Sequence, residues 1–238
     1  MIDLHCHILP GIDDGPEDLV GSIELARAAV AAGITTTVAT PHVSASYPNR
    51  PAEIARLLSQ LRAEIAREGI PLTVLPGAEL SARAVGALTD GELAASRLGD
   101  GPWLLLECPL SRVEGFSEAA LALKGRGFEV LLAHPERSPL FRSDPSALEE
   151  LVAAGMLCSI TAGSLTGRFG ETIQDFALTL AEEDLVHNVV SDAHNTARRP
   201  PGALTELAQT ALAPLARWLT EQVPAALLAG AAVPPRPG

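Results

Sequence analysis

The chain predicts an α/β fold built on a parallel sheet, either a barrel or a doubly wound sheet. Three observations carry that expectation. Short apolar strands alternate with amphipathic helices about seven times. Glycines close most helices, at Gly33, Gly69, Gly127 and Gly155. Residues able to bind metal recur where strands end. In a parallel barrel, all strand C-termini open on one face.

Ile2 and Leu4 open the first strand of the segment MIDLHCHILPGIDDG. His5 and His7 are two residues apart and share a strand face, with Cys6 on the other. Asp3 is also read as turned away from the histidines. Asp13 and Asp14 follow in a turn between Gly11 and Gly15, Asp14 as the ligand candidate and Asp13 as a turn residue or the alternative ligand. Leu19 to Ala32 reads as a helix and Ile34 to Thr40 as a β-branched strand ending at Pro41-His42. A loop containing the only tyrosine, Tyr47, leads to a helix from Pro51 to Arg67. Pro71 to Leu75 is a strand ending in Gly77-Ala78-Glu79, and Gly86 to Arg97 is helical in part.

Trp103 to Leu106 is a strand ending at Glu107, and Phe116 to Arg126 a helix. Glu129 to Ala133 is a strand ending in His134-Pro135-Glu136-Arg137. Ser146 to Ala154 is a helix, Leu157 to Thr161 a strand, and Gly163 to Gly170 a glycine-rich loop. Ile173 to Glu183 is a helix, and His187 to Val190 a strand ending in Ser191-Asp192-Ala193-His194. Leu204 to Ala229 is expected to be helical with an interruption near Pro224, and the Pro-rich tail from Val233 to Gly238 to fray. No linker divides the chain, so one domain is expected over residues 1–238.

Lys and Arg number 17 against 29 Asp and Glu, a net charge of −12. That balance argues against a nucleic-acid surface and against docking on anionic lipid. Cys6, Cys108 and Cys158 form no CxxC pair, and none begins the Cys-x5-Arg phosphate loop of cysteine-based tyrosine phosphatases. No secretion signal or membrane span is read, so a soluble cytoplasmic chain is expected.

Five of the six histidines fall at strand ends: His5, His7, His42, His134 and His194. Glu79, Glu107 and Asp192 lie at equivalent places, and Asp14 sits in the first loop. This exceeds the four to six ligands of one ion, so two or three ions are implied, with Glu79 a candidate bridge. Nitrogen and oxygen donors without thiolate suit Mn, Fe or Zn. Such clusters activate water and clamp oxyanions in displacement at phosphorus. Arg137 and Arg199 stand beside ligands, with Arg198 next to Arg199, and guanidinium pairs well with phosphate. Arg168 is a weaker candidate. Glu136 is read as orienting a histidine or Arg137.

With these residues on the map, the chain resembles the PHP (polymerase and histidinol phosphatase) superfamily. Within it, the chain resembles bacterial capsule and exopolysaccharide tyrosine-protein phosphatases of the CpsB/CapC type. The opening segment, T-P-H at Thr40 to His42, G-A-E at Gly77 to Glu79 and L-L-E at Leu105 to Glu107 carry the resemblance. H-P-E-R at His134 to Arg137, F-G-E at Phe169 to Glu171 and S-D-A-H-N at Ser191 to Asn195 complete it.

The resemblance implies a distorted (β/α)7 TIM-like barrel with a trinuclear, usually Mn-dependent centre. One ion would take His5, His7, Glu79 and Asp192, a second Glu79, Glu107 and His134, and a third Asp14, His42 and His194. Arg137 and Arg199 match phosphate-binding arginines, and His42 is also a candidate proton donor to the leaving group. The implied substrate is the phosphotyrosine tail of a bacterial tyrosine kinase controlling polysaccharide export. The oligomeric state is left open. Family members commonly follow T-P-H with a basic or glycine-containing stretch, whereas Val43-Ser44-Ala45-Ser46 follows here. Rival expectations are a small-molecule phosphomonoesterase of the histidinol-phosphate kind and a non-catalytic metal-binding module.

Overall fold

Among the described residues, parallel pairing of nine short strands is what brings the scattered motifs to one end of the molecule. The computed structural model describes residues 1–111 and 113–237. The strands are β1 (Ile2–Cys6), β2 (Thr36–Ala39), β3 (His42–Val43), β4 (Thr73–Pro76) and β5 (Glu79–Ser81), then β6 (Trp103–Glu107), β7 (Glu129–Ala133), β8 (Leu157–Thr161) and β9 (Asn188–Val190). The helices are α1 (Leu19–Ala31), α2 (Pro51–Arg67), α3 (Ala82–Val85), α4 (Asp90–Ala94) and α5 (Phe116–Gly125). They continue as α6 (Pro139–Ser143), α7 (Pro145–Ala153), α8 (Ala162–Leu165), α9 (Glu171–Glu182) and α10 (Val223–Leu228).

Two parallel sheets run β1-β2-β4 and β3-β5-β6-β7-β8-β9. They are halves of one barrel. β3 follows β2 after Thr40-Pro41, and β5 follows β4 after Gly77-Ala78, so each pair is one interrupted stave. Proline has no N–H for a ladder, which accounts for the first break. At the second, a Cβ on Gly77 would lie 2.6 Å from Val38 Cγ1. Counting β2 with β3 and β4 with β5, seven staves close when the Asp192 N–H donates to the His5 carbonyl at 3.0 Å and the His7 N–H to that of Ala193 at 2.8 Å. The barrel, rather than a doubly wound sheet, is the outcome.

The core follows from strand composition. Leu4, Val38, Leu80, Leu104, Leu106, Val130, Leu132 and Ile160 are completely buried. α2 shows the helix logic: Ile54, Leu57, Leu58, Leu61 and Ile65 recur at spacings of three and four and are all buried. Asp18 caps α1 by accepting from the Gly21 N–H at 2.9 Å.

Two terminal expectations are corrected. The region from Leu204 to Ala229 is not one helix. A 3-10 segment spans Pro201–Gln209, another Ala213–Leu215, and a π turn at Trp218–Gln222 leads into α10. Pro224 sits in the first turn of α10 rather than ending a helix, because the widened turn before it accommodates the missing N–H. The tail is held rather than frayed up to Arg236. Trp218 Nε1 donates to the Pro234 carbonyl at 3.0 Å, and Arg236 pairs with Asp184 at 2.8 Å. Gly238 lies outside the described residues.

Glu136 is corrected too. It orients neither His134 nor Arg137. Its Oε1 accepts from the Thr161 N–H at 3.0 Å and the Ser164 hydroxyl at 2.7 Å, tying the turn after β7 to the end of β8 and to α8. Full burial pushes its carboxyl up to about 7, against the partial opposition of Ser164 and Thr161.

The folded state thus holds the Glu136 proton more tightly than the unfolded chain does. This stability contribution is complete below about pH 4.5 and is lost as pH rises through about 7. Glu136→Gln is expected to flatten the fall in unfolding free energy across that window by on the order of 1–3 kcal/mol, read by urea titration of metal-stripped protein at several pH values. Gly77→Ala forces a methyl against Val38 and is expected to cost about 1–3 kcal/mol in the same assay at fixed pH.

Candidate functional site

The site is built where the staves end. β1 delivers His5 and His7, β3 His42 and β5 Glu79. Glu107 closes β6, His134 follows β7, and Asp192 and His194 follow β9. His42 pairs in register with Glu79, which pairs with Leu105. His134 and Asp192 adopt left-handed backbone, with φ of 39° and 51°, uncommon for residues other than glycine.

All nine expected ligands come together. His7, Asp14, His42 and His194 form one group whose donor atoms lie within 4.8 Å of one another. His5, Glu79 and His134 form a second, His5, His7 and Asp192 a third, and His42, Glu79 and Glu107 a fourth. The groups interlock through His5, His7, His42 and Glu79.

Distances test the fit to metal. His5 Nε2 and His7 Nε2 are 3.1 Å apart. Glu79 Oε2 is 3.2 Å from the first and 3.3 Å from the second. Asp192 Oδ1 is 3.4 and 3.6 Å from them. Neighbouring ligands around one ion with bonds of about 2.1 Å are about 3.0–3.4 Å apart, so these four atoms have a first-row metal's spacing. Glu79 Oε2 and Asp192 Oδ1 are buried carboxylate oxygens faced by imidazole nitrogens and without a well-directed hydrogen bond. Such buried acceptors are costly unless a cation or proton is shared among them. The described donors fit divalent ions, and all three cysteines are buried free thiols.

Electrostatics agree. Burial opposes ionisation of Asp192, but His5, Arg199, His134 and Arg137 hold its carboxyl far below the usual range. Burial and the Arg137 guanidinium push His134 down to about 4, leaving a neutral imidazole able to act as a ligand. Burial also disfavours charge on His7, yet Asp13 and Glu79 override it and raise His7 to about 10.

Sequence reasoning misread two residues. Asp13 is more than a turn residue: its carboxylate accepts from His7 Nδ1 at 2.7 Å and from the His42 N–H at 3.0 Å. That fixes the His7 tautomer, leaving Nε2 toward the cleft. Asp3 is not turned away from the histidines; residues 3, 5 and 7 share strand parity. Its carboxylate accepts from the Ser191 N–H at 3.0 Å and from the Ser191 hydroxyl, joining β1 to the end of β9. The even spacing of Asp3 from His5 was the available signal. Cys6 does face away, with Sγ 3.6 Å from the Ala193 carbonyl.

Arg137 and Arg199 converge on Asp192 Oδ2, Arg137 at 2.7 Å. The Arg137 guanidinium also lies 4.6 Å over the Phe169 ring. Arg199 donates to His194 Nε2 at 2.8 Å, the nitrogen that lies 3.3 Å from Asp14 Oδ1. Arg198 is exposed, and Arg168 is engaged with Glu206. His42 has Nδ1 3.0 Å from Glu79 and Nε2 3.4 Å from Asp14, and the Tyr47 ring stacks on it at 5.6 Å and 9°. A mouth cavity of about 340 Å³ opens beside His42, Tyr47 and Glu107.

The chain is similar to several known proteins. A tyrosine-protein phosphatase, YwqE of Bacillus subtilis (strain 168), is 44% identical over 204 residues, covering 84% of this chain and 79% of the relative. A putative tyrosine-protein phosphatase, CapC of Staphylococcus aureus, is 31% identical over the same shares. A solved structure described as YwqE of Bacillus subtilis and CpsB of Streptococcus pneumoniae, unique metal-dependent tyrosine phosphatases, superposes with a TM-score of 0.85. It has 39% identity and covers 100% of this chain and 99% of that one. A D-hydantoinase superposes at 0.52 with 11% identity over 94% of this chain and 69% of that one, a likeness of fold alone. Residues 1–223 match the family described as capsular polysaccharide synthesis, CpsB/CapC, and with nine candidate metal ligands in one cleft and YwqE at 44% identity, the chain belongs to that family.

Proposed function

We propose that this chain is a metal-dependent phosphatase that hydrolyses phosphotyrosine on protein, with a bacterial tyrosine kinase of capsule or exopolysaccharide synthesis as its partner. The observation that carries the reading is the convergence of His5, His7, Glu79 and Asp192 at metal-ligand spacing beneath two arginines. Kinship to tyrosine-protein phosphatases supports the substrate class. Mn is the proposed metal, two or three ions in number, with Fe or Zn compatible with the same donors. Among the described residues no helix is long and apolar enough to cross a membrane, and we place the enzyme in the cytoplasm.

His5, His7, Asp14, His42, Glu79, Glu107, His134, Asp192 and His194 would hold the ions. When bound, divalent ions supply an activated water and positive charge for the phosphoryl oxygens. The protein supplies position and further charge. Arg137, held between Asp192 and the Phe169 ring, presents its guanidinium at the cleft, where bidentate pairing suits phosphate. Arg199 faces the same carboxylate from the other side and is the second phosphate ligand. The leaving phenol has a pKa of about 10, so departure does not require a strong acid. His42 lines the mouth and is the candidate proton donor to the leaving group only in a state where it does not itself hold an ion.

The test is hydrolysis of a phosphotyrosine peptide by metal-stripped protein with Mn, Zn or Mg restored. Mn is expected to restore activity, His134→Ala to abolish it, and Arg137→Ala to lower kcat by about 10²–10³-fold. Activity on small phosphate esters but on no peptide would keep the site and move the substrate to a metabolite. Inactivity of folded, loaded protein with every metal would overturn the enzymatic reading. Asp13→Ala frees the His7 tautomer and is expected to weaken metal binding about 10–100-fold, measured by competition with a chromophoric chelator, with the far-ultraviolet dichroism unchanged.

A further inference from the structure

The mouth cavity has a neighbour. A groove of about 160 Å³ runs beside it, walled by Val43, Pro48, Ala84, Ala87 and Leu88. Ser44, Ala45 and Arg83 line both spaces, so the groove continues the mouth away from the ligands. Arg83 lies on α3, four residues after Glu79, and is exposed. Nearby cations are engaged: Arg50 with Glu92 at 3.1 Å and Arg126 with Asp90 at 2.6 Å. Arg83 has no carboxylate within ion-pair distance among the described residues. The adjoining Val43-Ser44-Ala45-Ser46 loop carries no charge, on a chain with net charge −12.

We propose that the groove takes the polypeptide flanking the phosphotyrosine and that Arg83 pairs there with an acidic side chain of the substrate. This rests on the phosphotyrosine-protein reading above. Continuity with the mouth gives the peptide its path, and the apolar wall gives its backbone and aliphatic groups a surface. The unpaired guanidinium gives the path its charge preference, supplying from α3 the cation that the loop lacks. An exposed pair of this kind is worth about 0.2–1 kcal/mol, enough for selection of up to about fivefold.

Phosphotyrosine peptides of otherwise alanine sequence test this, with one Glu or one Gln moved through the three positions on each side, alongside a small aryl phosphate. At one or more positions, Glu is expected to lower KM about threefold to fivefold relative to Gln, with kcat unchanged. The ratio should approach one at about 1 M salt, where the Debye length is near 3 Å. It should also approach one in Arg83→Ala, persist in Arg83→Lys, and turn to favour Lys over Gln in Arg83→Glu. Peptide turnover indifferent to Glu at every position, or a preference surviving Arg83→Ala, overturns the inference while leaving the phosphatase reading intact. Turnover of the aryl phosphate with none of any peptide overturns both.

Discussion

Closure of β1 against the end of β9 is the constraint on which the structure depends. The Asp192 N–H donates to the His5 carbonyl, and the His7 N–H to that of Ala193. These bonds join segments at opposite ends of the sequence and set two imidazoles beside the carboxylate of Asp192. Behind them, Asp3 bonds both the N–H and the hydroxyl of Ser191. The closure is thus fixed by backbone and by a buried carboxylate together. Had the seventh stave docked elsewhere, the N-terminal histidines would have lost Asp192 and His194 as neighbours.

Much of this was legible because the relevant signals are local. Strand–helix alternation, Pro at the start of α2 and Gly after the helices speak of short-range backbone preference. The strand-end residues follow from topology alone, since parallel strands present all their C-termini together. Barrel and open sheet could not be separated from residue pattern, because closure is one long-range pairing with no periodic signature.

Other features were illegible for related reasons. The broken staves come from a proline and from a glycine under Val38, and a strand of two or three residues leaves too few positions to show alternation. The partners of Asp13 and Glu136 are tertiary. Nothing next to Asp13 in sequence announces that it will reach the Nδ1 of His7, and nothing beside Glu136 announces Thr161 and Ser164. The C-terminal region misled because its helix-forming composition is overridden by packing: Trp218 and Arg236 hold a segment that composition alone would leave loose.

The spread of the ligands along the chain also orders events at synthesis. Of the four candidate groups, only His42, Glu79 and Glu107 is complete before residue 134; the others wait for His134, Asp192 or His194. A nascent chain emerging from the ribosome thus holds every residue of one candidate group by Glu107 and of a second by His134, but gains the other two only with its last stave. The group of His5, His7 and Asp192 requires closure of the barrel, unlike a zinc finger, whose ion organises a few dozen residues. The many long-range pairings also place the chain among slower-folding topologies. An ion held by His5, His7 and Asp192 would therefore have to enter an already closed barrel, whose mouth opens beside His42, Tyr47 and Glu107.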